Sequence, residues 1–162
     1  MEKQSPLVLK NPHSVLAAIR SRPNDVLDVR VPLKLSESDL WAEVAQEARK
    51  KGIRVSAGSV DQKTASDRNA GVGGRTGQSG EARIKPRESV ELEELFSDQE
   101  NGVWLALDCL QDPQNVGAIF RTASFFGVKG ILLTQERSAP LTSTVYDVAS
   151  GGLERVPFSH QV

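Results

Sequence analysis

Three polar side chains in the middle of the chain are candidates to contact a bound ligand. Asp112, Asn115 and Arg121 follow residues 103–110, which are almost continuously apolar. Asn115 lies near a predicted helix start, where it can cap exposed amides, and the Arg121 guanidinium binds anions. The helix period separates Asn115 and Arg121 by about 120°, so they share a face only loosely. We expect Asn115 to precede the regular helix, which lets both side chains line one pocket.

The elements that position these side chains form a strand, a helix and a second strand. Residues 103–110 have the length of a strand that is buried on both faces. Asp112-Pro113 ends this strand, because proline cannot donate a ladder hydrogen bond. Apolar residues then recur at helical spacing until Gly127, a helix-ending residue, and residues 130–134 form the second apolar run. Ligands of parallel sheets bind beyond the carboxyl ends of the strands, where the polar loop lies.

This unit resembles the first signature motif of the SpoU/TrmH RNA ribose 2′-O-methyltransferases, a family of the SPOUT superfamily. The motif reads Asp-Pro-Gln-Asn-Val-Gly-Ala-Ile-Phe-Arg-Thr-Ala over residues 112–123, followed by Phe-Gly-Val at residues 126–128. Residues 136–142 and 149–157 resemble the next segments of the family. The first motif is specific, because it combines fixed Asn, Gly and Arg spacing with the strand–helix context.

The resemblance implies methyl transfer from S-adenosylmethionine to a ribose 2′-hydroxyl, with Asn115 and Arg121 as the catalytic residues. Arginine is hardly ever deprotonated, so Arg121 would stabilise negative charge on the oxygen and bind the phosphate of the target. Asn115 would hold Arg121 or the ribose through its amide. An alternative for Arg121 is a helix-surface ion pair with Asp112. Glu154 matches a position in the family, but its role stays open. A salt bridge at a helix end or a strand edge is an equal alternative to a functional role.

The N-terminal half has the pattern of a small α/β unit. Asn11-Pro12 starts a helix, residues 26–31 form a strand, Ser36 caps a second helix that ends at Gly52, and residues 53–55 form a short strand. We expect residues 1–10 to be a ragged terminus.

The same half resembles the N-terminal substrate-binding domain of the family, which has a ribosomal-protein-like fold. Residues 11–19 are similar to its opening segment, and residues 78–86 to the strand that closes it. Two differences from the usual family sequence, at Asn11 and at residues 77–79, leave open which RNA is bound. The residues expected to contact RNA are His13, Arg75, Arg83 and Lys85. Helix capping or packing is the alternative role for His13.

Charge is distributed unequally along the chain. The whole sequence has a net charge of −1. Residues 1–90 hold 16 Lys/Arg and 11 Asp/Glu, a charge of +5, whereas residues 91–162 hold 4 and 10, a charge of −6. A basic lobe favours phosphate binding in the N-terminal half. An ordinary solvated surface explains a mild imbalance equally well.

Cysteine and histidine are too few for a zinc site or an internal disulfide. The chain has one Cys and two His. We expect Cys109 to be a reduced thiol packed within the apolar strand. Since no apolar run is long enough to span a bilayer and no secretory leader begins the chain, we expect a cytoplasmic protein without a membrane partner.

These observations predict an α/β protein: a small ribosomal-protein-like RNA-binding lobe followed by the first half of a parallel-sheet, knotted Rossmann-like SPOUT methyltransferase domain. The expected divisions are an RNA-binding domain at 1–85, an acidic linker with a short helix at 86–100, and a methyltransferase domain at 101–162. Residues 71–80 hold five glycines and are expected to form a surface loop. Within the last domain, residues 141–150 are helix-compatible and a further strand begins at Arg155.

Two later segments of the family, a Gly-rich one with Gly-x-Glu and one with Pro-x-x-Gly-x-x-x-Ser-Leu-Asn, do not follow residue 157 in this sequence. They build the knotted cofactor pocket, so the cofactor-binding residues stay unknown. We therefore expect this to be the N-terminal portion of a methyltransferase, which alone neither binds S-adenosylmethionine tightly nor turns over. The full-length family forms homodimers through the missing region, which makes a dimer of this chain doubtful.

The favoured substrate is a guanosine of 23S-type ribosomal RNA, by analogy with the family. A transfer RNA substrate and a non-catalytic RNA-binding module are the alternatives. A dehydrogenase-like nucleotide-binding enzyme is disfavoured, because it needs Gly-x-Gly-x-x-Gly after the strand and residues 112–117 hold a single glycine.

Overall fold

A computed structural model describes residues 5–36, 39–58, 80–97 and 101–161. The predicted RNA contact at Arg75 and residues 71–79 of the glycine-rich stretch lie outside the described residues. The described part contains two β-sheets with their helices. None of its helices has the length and apolar character needed to cross a membrane.

The first sheet has four strands in the order β1-β4-β2-β3. They are β1 (Leu7–Leu9), β2 (Val26–Val31), β3 (Val55–Ala57) and β4 (Glu81–Ile84). Only the β2–β3 pair is parallel, and β4 pairs antiparallel with both β1 and β2. The expectation of a ragged terminus is wrong for β1, because its alternate side chains pack against the core and Leu9 is fully buried.

Two helices cover this sheet, and each begins with a side-chain cap. Helix α1 (Pro12–Ser21) is capped by Asn11, whose side chain accepts a hydrogen bond from the His13 amide at 2.9 Å, as predicted. Helix α2 (Leu40–Lys50) is capped by Asp39 rather than by Ser36. The Asp39 carboxylate accepts from the Trp41 amide at 3.0 Å, which places the helix start three residues later than the sequence indicated.

The second sheet is parallel, with its three strands in the order β5-β6-β7. The strands are β5 (Trp104–Leu107), β6 (Gly130–Thr134) and β7 (Phe158–Gln161), and the connecting helices are α4 (Pro113–Phe125), α5 (Ser143–Ala149) and α6 (Gly152–Arg155). The predicted strand–helix–strand unit is confirmed, although β5 is shorter than the apolar run. The strand expected from Arg155 starts later, because residues 152–155 form α6.

The segment between the sheets is packed against the second one. It contains the expected short helix, α3 (Leu92–Leu95), and the Val90 amide donates to the Phe158 carbonyl at 2.9 Å. Buried side chains of both sheets form one hydrophobic cluster, in which α1 packs against α5 and α6. The two sheets therefore share a core rather than standing apart.

Candidate functional site

The loops after β5 and β6 are tied together at the carboxyl edge of the parallel sheet. The Cys109 amide donates to the Thr134 hydroxyl at 3.1 Å, and the Ala139 amide donates to the Leu110 carbonyl at 2.8 Å. The Thr134 hydroxyl is also 2.8 Å from the Ser138 hydroxyl. Thr134 was not predicted as a site residue from the sequence. Its position at the end of the apolar run that forms β6 could have indicated it. This edge is where parallel sheets bind ligands.

Two residues of these loops hold the backbone in the left-handed region, which is unusual without glycine. Cys109 has φ 53° and Arg137 has φ 54°. Such residues often cluster at ligand sites, because surrounding contacts must hold them there. The positive φ values thus mark the same edge that the strand ends indicate.

Cys109 does not lie inside the strand. It is exposed in the turn that follows β5, so the expectation of a packed thiol is wrong. Apolar composition continued past the strand end at Leu107, but the turn takes Cys109 out of the ladder. A hydrogen bond to Asp108, together with the Asp108 and Glu136 charges, raises the pKa of the Cys109 thiol. The thiol is therefore not activated as a nucleophile.

Asp112, not Asn115, caps the helix that carries the signature motif. The Asp112 carboxylate accepts from the Gln114 amide at 2.9 Å, and Pro113 occupies the first helical position. Asn115 therefore lies inside α4 instead of preceding it. Because Asn115 and Arg121 share one regular helix, the separation of about 120° applies to them in full.

An open apolar groove lies between β5 and α4 and contains Asn115. Its volume is about 630 Å³. The lining residues come from β5, α4 and the loops beside them: Leu105, Leu110, Asn115, Ala118, Ile119, Thr122, Ala123, Phe126 and Val128. Arg121 is not among them. The structure therefore places Asn115 and Arg121 on different parts of the helix surface rather than in one groove.

Arg121 lies where α4 meets the turn between α5 and α6. A Cβ added to Gly152 would lie 2.5 Å from the Phe120 carbonyl oxygen and 2.9 Å from the Arg121 Cα, so only glycine fits there. The Arg121 side chain is exposed, and among the described residues it has no ion pair or hydrogen bond. The alternative ion pair with Asp112 is thus not formed, and the guanidinium is available to an anion.

The predicted RNA contacts of the first sheet differ in how available they are. Arg83 is bonded to Asp28 across β2 and β4, which raises the pKa of the Arg83 guanidinium, and the Lys85 ammonium is 3.6 Å from an Asp25 oxygen. His13 is exposed in the first turn of α1. Of the predicted residues that the structure describes, His13 is thus the one without a carboxylate partner.

A buried ion pair joins the two sheets and answers the question left open for Glu154. The Arg22 Nε and Nη2 atoms donate to the Glu154 carboxylate at 2.7 and 2.8 Å, and Nη1 donates to the Lys85 carbonyl at 2.6 Å. Burial lowers the pKa of Arg22, but the hydrogen bond and charge of Glu154 outweigh it and raise the pKa overall. Sequence reasoning missed Arg22, since no local pattern links it to Glu154.

The same interface carries further hydrogen bonds between distant parts of the chain. The Asp147 carboxylate accepts from the Lys10 and Asn11 amides at 3.1 and 2.9 Å, while Ser14 donates to the Tyr146 carbonyl at 2.6 Å. Burial raises the pKa of Asp147, although those amides act in the opposite direction. We call this set of contacts, with the Arg22–Glu154 pair, the seam.

The described residues do not enclose a site for S-adenosylmethionine. The groove offers this charged ligand two polar side chains, Asn115 and Thr122, on an otherwise apolar lining. In the part of the chain that the structure describes, no buried side-chain nitrogen or oxygen lacks a hydrogen-bond partner. No buried polar atom of these residues is therefore left for a cofactor to bind, and two exposed polar side chains do not fit the whole group. Nor does any cluster of described His, Cys, Asp and Glu side chains suit a metal ion.

Comparison with known proteins gives consistent matches to one family. Residues 102–162 match the SpoU rRNA Methylase family. The 23S rRNA (guanosine-2′-O-)-methyltransferase RlmB of Vibrio cholerae is 31% identical over 148 residues, which are 90% of this chain and 58% of that protein. RlmB of Acinetobacter baylyi is 32% identical over 147 residues, with the same coverage. The chain thus spans about 58% of the length of these curated relatives.

Solved structures share the fold over nearly the whole chain. The SpoU methyltransferase AviRb from Streptomyces viridochromogenes, in complex with AdoMet, superposes with a TM-score of 0.70 at 16% identity. The match covers 96% of this chain and 54% of AviRb. An rRNA methyltransferase from Sinorhizobium meliloti gives a TM-score of 0.66 at 22% identity, covering 97% of this chain and 55% of that one. At these identities the likeness establishes the mixed α/β fold with its parallel sheet.

Proposed function

We propose that this chain belongs to the SpoU rRNA methylase family, which residues 102–162 match, and that it is part of an enzyme that methylates a ribose 2′-hydroxyl of RNA. The observation that carries the proposal is the exposed, unpartnered Arg121 on α4, within the matched segment 102–162. The helix follows the carboxyl edge of a parallel sheet, the usual place for such a site. S-adenosylmethionine supplies the methyl group in this reaction.

The substrate we propose is a guanosine of 23S-type ribosomal RNA. The RlmB relatives, whose alignments cover 90% of this chain, are named as 23S rRNA (guanosine-2′-O-)-methyltransferases. These names support the proposed substrate. A transfer RNA substrate stays the alternative that the assay below distinguishes. Because the proposed substrate is ribosomal RNA, we propose the cytoplasm as the location. For the whole protein we propose a homodimer, like that of the full-length family.

Arg121 and Asn115 are proposed to hold different parts of the target nucleotide. A ribose hydroxyl becomes a good nucleophile as its proton leaves, and a guanidinium that stays protonated stabilises the negative charge that develops. Arg121 also binds the adjoining phosphate. Asn115, about 120° away on the helix, reaches the groove side and hydrogen-bonds the ribose. Positioning of the hydroxyl supplies much of the rate.

The first sheet is proposed to be an RNA-binding domain at residues 1–85, followed by the linker 86–100 and the methyltransferase domain 101–162. The positive charge of residues 1–90 supports phosphate binding there. Since Arg83 and Lys85 are held by carboxylates, they would have to exchange partners to contact RNA. His13 is free to do so directly.

The proposal is tested by incubating the protein with tritiated S-adenosylmethionine and either ribosomal or transfer RNA. The 162-residue chain and any longer product of the same reading frame are assayed in parallel, each with calorimetric titration of the cofactor. We expect label in alkali-resistant dinucleotides, which identify ribose methylation, and in ribosomal RNA preferentially. Arg121→Ala should lower the rate about 100- to 1,000-fold, whereas Arg49→Ala on α2 should not.

A non-catalytic RNA-binding module is the second candidate, favoured by the basic charge of the N-terminal half. It predicts RNA binding with no methyl transfer by any product of the reading frame. Binding whose salt dependence is unchanged in Arg121→Ala would support it. Label in a base rather than in the ribose would exclude the proposed reaction.

A further inference from the structure

A second cleft opens where α1 meets the turn between α5 and α6, and it crosses the seam. Its volume is about 330 Å³. It is lined from α1 by His13, Leu16, Ala17, Arg20 and Ser21, and from the turn after α5 and from α6 by Ser150, Glu154 and Arg155. We call it the seam cleft. Neither the signature motif nor the carboxyl edge includes these residues.

Of the charged side chains that line the seam cleft, one arginine has no carboxylate partner among the described residues. The Glu154 carboxylate is held by Arg22 at 2.7 Å and is buried, so its charge is already balanced. Arg20 donates to Glu43 at 2.7 Å. Arg155 is exposed and, among the described residues, has neither an ion pair nor a hydrogen bond. The exposed His13 imidazole lines the same cleft.

One tight turn connects the seam cleft to Arg121. Ser150 and Gly151 are left-handed, with φ 49° and 89°. A Cβ on Gly151 would lie 2.7 Å from the Ala17 Cβ, while a Cβ on Gly152 would lie 2.9 Å from the Arg121 Cα. The turn is therefore wedged between α1, which lines the cleft, and α4, which carries Arg121. The backbone of Arg121 therefore lies beside the turn that borders the cleft.

We propose that the seam cleft binds a backbone phosphate of RNA, with Arg155 as the main ligand and His13 as the second. This proposal rests on the proposed function, since it assigns a second contact for the same RNA. A guanidinium binds phosphate oxygens through two parallel hydrogen bonds, a geometry that suits an unpaired arginine in a cleft. Phosphate contacts fix register without reading sequence. The cleft would therefore set the position of the strand relative to Arg121.

The test measures binding of a fluorescein-labelled RNA hairpin by anisotropy, over a range of salt concentrations and without S-adenosylmethionine. Arg155→Gln should weaken binding about tenfold, the loss of one charge-assisted contact. The slope of log K against log salt should become shallower by about 1. Arg155→Lys keeps the charge and should retain the slope. Arg49→Gln removes the same charge from exposed α2, within the basic N-terminal half, and should weaken binding less than Arg155→Gln does.

Thermal unfolding of each variant should match that of the parent, as expected for an exposed side chain. Equal effects of Arg155→Gln and Arg49→Gln would overturn the proposal, since they would indicate diffuse charge attraction. An unchanged slope in Arg155→Gln would overturn it as well. Because binding is read without methyl transfer, an inactive protein that shows the Arg155 effect would reject the proposed reaction and retain the cleft.

Discussion

The seam is built from buried polar groups, whereas the groove between β5 and α4 is lined mostly by half-buried apolar side chains, with Phe126 exposed at its edge. At the seam, Glu154 is 7% exposed and fully paired, and Arg22 makes contacts with both sheets. At the groove, Phe126 is 74% exposed. A buried charge is costly without its partner, but an exposed ring contributes little to folding. The seam should therefore be sensitive to single substitutions and the groove tolerant.

The largest effect is expected from Arg22→Met, which leaves the Glu154 carboxylate buried without its partner. Removing one member of a buried pair costs about 3–5 kcal/mol of unfolding free energy. Urea unfolding followed by circular dichroism measures it. The double variant Arg22→Met with Glu154→Leu should recover much of the loss, because neither charge is then buried. A single variant within about 1 kcal/mol of the parent would show that the seam does not depend on this pair.

The next effect is expected at the turn beside the seam. Gly152→Ala places a methyl group against the backbone of Phe120 and Arg121, which has no freedom to move aside. Overpacking of this kind costs about 1–3 kcal/mol. Gly58→Ala is the matched control, since its added Cβ meets the Arg30 Cδ at an ordinary 3.7 Å. Equal stability of both variants in urea would contradict the tight approach.

A smaller effect, dependent on pH, is expected from the Asp147 carboxylate. Burial raises its pKa in the folded protein above the ordinary 3.8. The folded state thus binds more protons than the unfolded chain just above pH 3.8, so stability falls as pH rises through that window. Asp147→Asn removes this dependence. The unfolding free energy of the parent minus that of the variant should be larger at acidic than at neutral pH, and the opposite trend would refute the assignment.

The smallest effect is expected in the groove. Phe126→Ser should change the unfolding free energy by no more than about 0.5 kcal/mol, because the ring is mostly exposed. Phe120→Ala on the inner face of the same helix should cost about 3–5 kcal/mol, because that ring is fully buried against Phe158. Comparable losses in thermal unfolding would mean that the groove at Phe126 is not the open surface described.

The sequence was most informative where structure depends on near neighbours. The Asn11 cap of α1, the strand at residues 26–31 and the unit from β5 to β6 follow from patterns within a few residues. The sequence pattern placed the cap of α2 at Ser36 instead of Asp39, because both residue types are good caps. Cys109 was misplaced because composition does not mark the end of a ladder.

By itself, the sequence indicated the resemblance to the SpoU methylases, the parallel strand–helix–strand unit and the candidate residues Asn115 and Arg121. Caps, periodicity and motif spacing are local properties, so they can be read along the chain. The tertiary structure alone decided the Arg22–Glu154 pair, the buried strand β1 and the seam cleft. These depend on contacts between residues as far apart as Asn11 and Asp147. No local pattern encodes such pairs, because packing of the whole core selects them.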